Sequence, residues 1–129
     1  MSKKIVNTDK APAPVGAYNQ SITTGNHVFI SGQIALDPAT GELILDTIEE
    51  ETRQVMSNLG AILEANDLGY EDIISCSVFV KDMGAYGRIN EVYASYFDEA
   101  TAPTRALVEV ARLPKDVNIE ISAIAFKNK

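Results

Sequence analysis

Thr104-Arg105-Ala106-Leu107-Val108-Glu109-Val110-Ala111-Arg112-Leu113-Pro114-Lys115-Asp116-Val117-Asn118-Ile119-Glu120-Ile121-Ser122-Ala123-Ile124-Ala125 holds two alternating runs on either side of a short break. In the first run Ala106, Val108 and Val110 share one side, with Arg105, Leu107 and Glu109 opposite. In the second, Val117, Ile119, Ile121, Ala123 and Ala125 oppose Asn118, Glu120 and Ser122. A period of two makes both runs strands. Leu113-Pro114-Lys115-Asp116 reads as a hairpin loop, so the strands are expected to be antiparallel neighbours. A simple register pairs Arg112 with Val117, Glu109 with Glu120 and Arg105 with Ile124. Arg105 and Glu120 would then share a face, roughly 13 Å apart along the strand direction. Charges among otherwise apolar strand residues are rarely buried without a partner.

Working outward, Ile74, Cys76, Val78 and Val80 alternate with Ser75 and Ser77 as a further strand. His27–Ile34 is a mostly buried strand, weakened at Ser31-Gly32, where another backbone or a ligand can come close. A shorter strand precedes it near Asn19–Thr23, and Thr24-Gly25-Asn26 turns between them. Ala11-Pro12-Ala13-Pro14-Val15-Gly16-Ala17-Tyr18 is too rich in Pro and Gly for a helix and reads as an extended arm. Two segments are helical. Ile48, Val55, Leu59 and Ile62 form one stripe, and Thr47 with Glu50 has capping-box spacing. The second helix is expected over Met83–Ala100, capped by Asp82, with Tyr86, Ile89, Tyr93, Tyr96 and Phe97 on one side. Strands, helix, strand, helix and two strands in that order make an α+β fold, a single mixed sheet with two helices on one face. The second face would mix Leu107, Ile124 and Phe126 with Arg105, Glu109 and Glu120, a composition commonly used for assembly.

Composition removes several classes of function. The 129 residues, 46% hydrophobic and 22% charged, suit one globular domain over residues 1–129. A net charge of −7 argues against binding nucleic acid or an anionic membrane, which rests on clustered Lys and Arg. No apolar run approaches the ~18 residues of a membrane span. Met1–Asn7 turns polar after two lysines and shows no secretory core, and one cysteine suits a reducing cytoplasm. His27 and Cys76 cannot by themselves assemble a zinc-type cluster, and no spaced Asp motif suggests Mg²⁺ or Ca²⁺. Gly-rich phosphate loops are absent. Cys76 alternates with Ile74 and Val78 as a small core residue, and His27 at a strand mouth reads as an ordinary surface histidine.

Arg105 and Glu120 remain. One reading has both facing solvent or bridging subunits. The other makes Arg105 a fork for a small carboxylate, with Glu120 nearby to handle a water.

Pro103–Asp116 followed by Ile119-Glu120-Ile121 resembles the C-terminal signature of the RidA family, also called YjgF, the reactive-intermediate deaminases. The likeness extends through Gly16-Ala17-Tyr18, Ser31-Gly32-Gln33-Ile34, Asp37-Pro38, Thr40-Gly41-Glu42, Val78-Phe79-Val80-Lys81-Asp82 and Ile89-Asn90-Glu91-Val92-Tyr93. The resemblance implies a chorismate-mutase-like fold and a homotrimer built on a barrel of sheets, with small-ligand sites between subunits. It implies hydrolysis of 2-imino acids such as 2-iminobutanoate and 2-iminopropanoate to 2-oxo acids and ammonia, with no cofactor and no metal. Carried onto this chain, Arg105 binds the substrate carboxylate and Glu120 activates water. Tyr18, Ser31, Gly32 and Asn90 line the pocket, and the backbone of Leu107 meets the leaving nitrogen. Many members have Cys where this chain has Leu107, and Gly-Pro-Tyr where it has Gly16-Ala17-Tyr18. Two other readings stand beside this one. A non-catalytic regulatory trimer that binds small carboxylates would keep Arg105 and give Glu120 a structural role. A ribonuclease role, attached to some relatives, meets the net charge of −7 and no basic patch.

Overall fold

The computed structural model describes residues 2–128. In chain order the main elements are β1 (Lys4–Val6), β2 (Ser21–Thr24), β3 (His27–Gln33), α1 (Ile48–Ala65), β4 (Ile73–Val80), α2 (Tyr86–Ala94), β5 (Thr104–Glu109) and β6 (Ile119–Phe126). The strands form one sheet in the order β1-β2-β3-β6-β4-β5. The pairing of β4 with β5 is parallel and all others are antiparallel, so the sheet is mixed, as expected.

Helix α1 forms where the apolar stripe and the cap coincide. The Thr47 hydroxyl accepts from the Glu50 amide at 3.1 Å, and Glu49, Glu50 and Glu51 occupy the positive first turn. Its stripe of Val55, Met56, Leu59, Ile62 and Leu63 is wholly buried against one sheet face. Burying each such side chain contributes about 1.5–3 kcal/mol. Helix α2 is shorter than its stripe suggests. Met83–Ala85 is a turn of 3-10 helix, with the Asp82 carboxylate accepting from Gly84 N at 2.8 Å, and the α-helix proper covers Tyr86–Ala94. Gly84 and Gly87 disfavour a regular first turn there.

The C-terminal segment departs most from expectation. β5 and β6 are not a hairpin; β4 lies between them. α2 is the crossover of a β-α-β unit, which lays β5 parallel to β4 at the sheet edge. The link from Val110 to Asn118 then passes over the end of β4. Val110 N donates to Val80 O at 2.9 Å, and Lys81 N donates to Asn118 O at 3.0 Å. β6 enters the centre of the sheet, where Ile119, Ile121, Ala123 and Ala125 are buried. The buried Glu51 carboxylate fixes its entrance, accepting from Asn118 N and Asn118 Nδ2, both at 2.8 Å.

This order changes the faces. Arg105 is level with Cys76 and Leu107 with Val78, so Arg105, Leu107 and Glu109 lie on the helix side, not opposite it. Ala106 and Val108 are on the open side. Glu120 is level with Phe79 and therefore also on the open side, with Ile124 and Phe126. Ile74 does not share the face of Cys76: the register shifts between Ile73 and Ser75, Ile73 takes the inward place, and Ile74 is 44% exposed. The open face carries Phe29 and Val108 at 45% and 46% exposure. Among the described residues no helix is long and apolar enough to cross a membrane.

Candidate functional site

Glu120 sits beside a break in β3. Ile30 pairs with Ala123 and Gln33 with Ile121, so Ser31 and Gly32 together face one residue of β6. That extra residue is a β-bulge, at the weak spot expected from the sequence. A Cβ on Gly32 would stand 2.8 Å from the Glu120 carboxyl carbon and closer still to its oxygen, so only glycine leaves the carboxylate its place. Ser31 is held on both sides: its amide donates to Gln20 O at 2.9 Å and its hydroxyl to Asn19 O at 2.6 Å. Glu120 is half-buried, and its carboxylate makes no hydrogen bond to any described residue. Burial pushes its pKa above the ordinary carboxylate value.

A cavity of about 360 Å³ opens in front of Glu120, walled by Tyr18, Ser31, Gly32, Ile34 and Lys115. Tyr18 arrives on the proline-rich arm, and Gln20 holds that arm down. The buried Gln20 side chain donates to Thr8 O at 3.0 Å and Pro12 O at 2.8 Å, and accepts from Thr8 N at 2.7 Å.

Arg105 belongs to a second cluster, on the other side of the sheet. Nη1 donates to Asn90 Oδ1 and Nη2 to the Tyr86 hydroxyl, both at 2.8 Å. Its guanidinium carbon lies 5.5 Å from the Tyr86 ring centre and 5.0 Å from that of Tyr93, within cation–π range. Arg105 forms no ion pair with any described residue, whereas Arg88 and Arg112 each hold a carboxylate. A half-buried cation propped by neutral groups keeps its remaining N–H groups for an anion. Leu107 follows two residues later on the same face, packed against the core.

The seven residues expected at the site thus fall into two sets. Tyr18, Ser31, Gly32 and Glu120 surround one cavity; Asn90 and Leu107 accompany Arg105. The sets do not meet within one chain. Arg105 is level with Ala123, about 10 Å along the strands and about 10 Å across them from Glu120, and it projects from the opposite face. Tyr86 and Tyr93 are not legible in the sequence as partners of Arg105, because both belong to the apolar stripe of α2. The detectable signal is the Tyr86-Asn90-Tyr93 spacing of four and three, which puts polar and aromatic groups on one helical line. Nor is Gln20 legible there, since its role needs the folded arm.

Other titratable groups near Arg105 are quiet. Burial pushes the Cys76 thiol and the Tyr93 phenol up, so both stay protonated near neutrality. Among the described residues no group of three His, Cys, Asp or Glu is placed to hold a metal.

The profile described as Endoribonuclease L-PSP matches residues 8–127. A RutC family protein of Pyrococcus horikoshii is 51% identical over 125 residues, covering 97% of this chain and 98% of the relative. An Escherichia coli protein provisionally named reactive intermediate deaminase TdcF is 47% identical, covering 98% of both chains. A crystal structure of E. coli TdcF with bound serine superposes with a TM-score of 0.91 at 46% identity, covering 97% of this chain and 99% of that one. With the α+β fold, the bulge at Ser31-Gly32 and the C-terminal signature all in place, the chain belongs to the endoribonuclease L-PSP family, the RidA/YjgF group that its sequence resembles.

Proposed function

We propose that this protein hydrolyses 2-imino acids such as 2-iminobutanoate and 2-iminopropanoate to 2-oxo acids and ammonia, at sites completed between neighbouring copies of a homotrimer. One observation carries the reading. Arg105 is a cation without a carboxylate partner and Glu120 a carboxylate without a hydrogen-bond partner, on opposite faces of one sheet. A small anion that needs both can find them only where two chains meet. The open face, with Phe29, Ile74 and Val108 each more than two-fifths exposed, supplies apolar surface for that meeting.

In the combined site Arg105 holds the carboxylate through its free N–H groups, with Asn90 and Tyr86 fixing the plane of the fork. The 2-imino carbon then faces Glu120 of the neighbouring copy. Glu120 takes a proton from a water as the oxygen bonds to that carbon, giving a tetrahedral amino-alcohol. Glu120 delivers that proton to the nitrogen, then takes the hydroxyl proton of the adduct and delivers it there too, so that the carbonyl forms as the C–N bond breaks and ammonia leaves the 2-oxo acid behind. A carboxylate whose pKa is raised toward neutrality suits this two-way transfer, worth roughly 10²–10⁴-fold. Tyr18, Ser31 and Gly32 wall the water side, and the backbone at Leu107 borders the leaving nitrogen. The chemistry asks for no metal or cofactor, and the single, buried Cys76 suits the reducing cytoplasm in which such imines form.

The name of TdcF and the serine in its crystal support a small amino-acid-like ligand. The family's description as an endoribonuclease is not carried over, because a net charge of −7 opposes binding to a polyanion. An amino-acid oxidase or threonine dehydratase generating the imine in situ, with semicarbazide trapping what survives, tests the reading. Wild type is expected to deplete the trapped imine and Arg105→Ala to leave it. If wild type spares the imine while still binding 2-oxobutanoate, the protein is a carboxylate-sensing trimer and not a deaminase.

A further inference from the structure

The Tyr86 hydroxyl accepts a hydrogen bond from Arg105 Nη2 at 2.8 Å, and that bond uses a lone pair, not its proton. No described residue receives the proton. Tyr86 is 38% exposed and stands at the start of α2, so its hydroxyl lies at the surface beside the guanidinium. Asn90, one helical turn on, accepts from Nη1 and so spends its amide oxygen on the same group. Tyr93 holds the guanidinium from its ring face, with its own hydroxyl buried. The outward edge of Arg105 therefore carries free N–H groups and, next to them, one free O–H.

From this juxtaposition we infer that Tyr86 is a direct ligand of the substrate: its hydroxyl donates to the same carboxylate that Arg105 binds, making a composite anion receptor of guanidinium and phenol. The two roles reinforce one another. A hydroxyl that accepts from a cation is polarised and becomes the better donor. An O–H to carboxylate bond is short and charge-assisted, and it fixes which carboxylate oxygen lies toward α2. A receptor of this kind selects a planar carboxylate with both oxygens available, and it disfavours ligands whose acid is esterified. The inference rests on the proposed role of Arg105 and adds a residue to it.

Calorimetric titration with 2-oxobutanoate, the product acid, separates the possibilities without depending on turnover. Arg105→Ala is expected to abolish measurable binding. Tyr86→Phe keeps the ring over the guanidinium and should weaken binding about tenfold. Replacing Tyr86 by 3-fluorotyrosine, below neutral pH where the fluorophenol stays protonated, makes the hydroxyl a stronger donor and a weaker acceptor. Direct donation predicts tighter binding than wild type. If the fluorinated protein binds more weakly, Tyr86 acts only by propping Arg105 and the inference falls. It falls too if Tyr86→Phe binds like wild type. If Arg105→Ala itself binds normally, or wild type binds nothing, the fault lies with the carboxylate-anchor reading underneath.

Discussion

The two clusters that the sheet holds apart are built in different ways. Around Glu120 the shape is made by backbone: a bulge in β3, a glycine with no Cβ, and an arm held through its carbonyls. Around Arg105 it is made by side chains, with an amide, a phenol and a ring face each touching the guanidinium. In the backbone-built wall a single added atom at Gly32 displaces the Glu120 carboxylate outright. A side-chain clamp shares its load, so losing one contact weakens it by a step. The Glu120 carboxylate is left unbonded among the described residues, while the Arg105 guanidinium is doubly braced.

The largest expected effect is on Glu120. Glu120→Gln should lower kcat for imine hydrolysis by about 10²–10⁴-fold while 2-oxobutanoate still binds. Mixing it with Arg105→Ala after unfolding and reassembly gives the sharpest attack on the two-chain reading. If each site takes one group from each of two neighbouring copies, about a quarter of all sites in a randomly assembled equal mixture regain both. Activity that stays at the level of the separate variants would place both groups in one chain's site and break the comparison. Gly32→Ala comes next. The Glu120 side chain can swing away at small cost, so the thermal midpoint should hold while activity falls about 100-fold, measured on the same preparation. Asn90→Ala removes one brace and leaves Tyr86, so KM should rise about tenfold with kcat little changed.

The smallest effect is on stability. Burial raises the Glu120 pKa in the folded chain above its unfolded value, so the folded state holds the proton more tightly. Glu120 therefore costs stability at pH above both values, and the cost disappears as pH falls below them. Glu120→Gln should unfold slightly later than wild type at neutral pH and at the same temperature in acid. The hydrolysis rate should fall on acidification at a pH above that of an ordinary glutamate. A rate flat down to pH about 4 would remove Glu120 as the base.

What the sequence disclosed follows from what periodicity can report. It reports which residues of one element share a side, hence α1 with its Thr47 cap, the alternation of β6, and the weak point at Ser31-Gly32. It does not report which strand lies next door. Leu113–Asp116 has the composition of a hairpin loop, yet the link it belongs to spans β4, because a crossover through α2 had already taken the place beside β4 for β5. Reversing that one neighbour turned Arg105 to the helix side and separated it from Glu120. The family resemblance is untouched by that reversal, since it depends on order along the chain and not on adjacency. β1 was too short to show alternation, and α2 stopped short of its apolar stripe at Ala94.

The central place of β6 also bears on how the protein comes into being. Residues 119–126 are the last of these elements to be synthesised, yet they join β3 to β4 and so hold the two parts of the sheet together. Until they are present, β3 and β4 each offer an unpaired apolar edge, the kind of surface on which chains aggregate. The nascent chain is thus at its stickiest just before β6 emerges. A stop before residue 119 would leave two unjoined pieces with open edges, not a slightly shorter sheet.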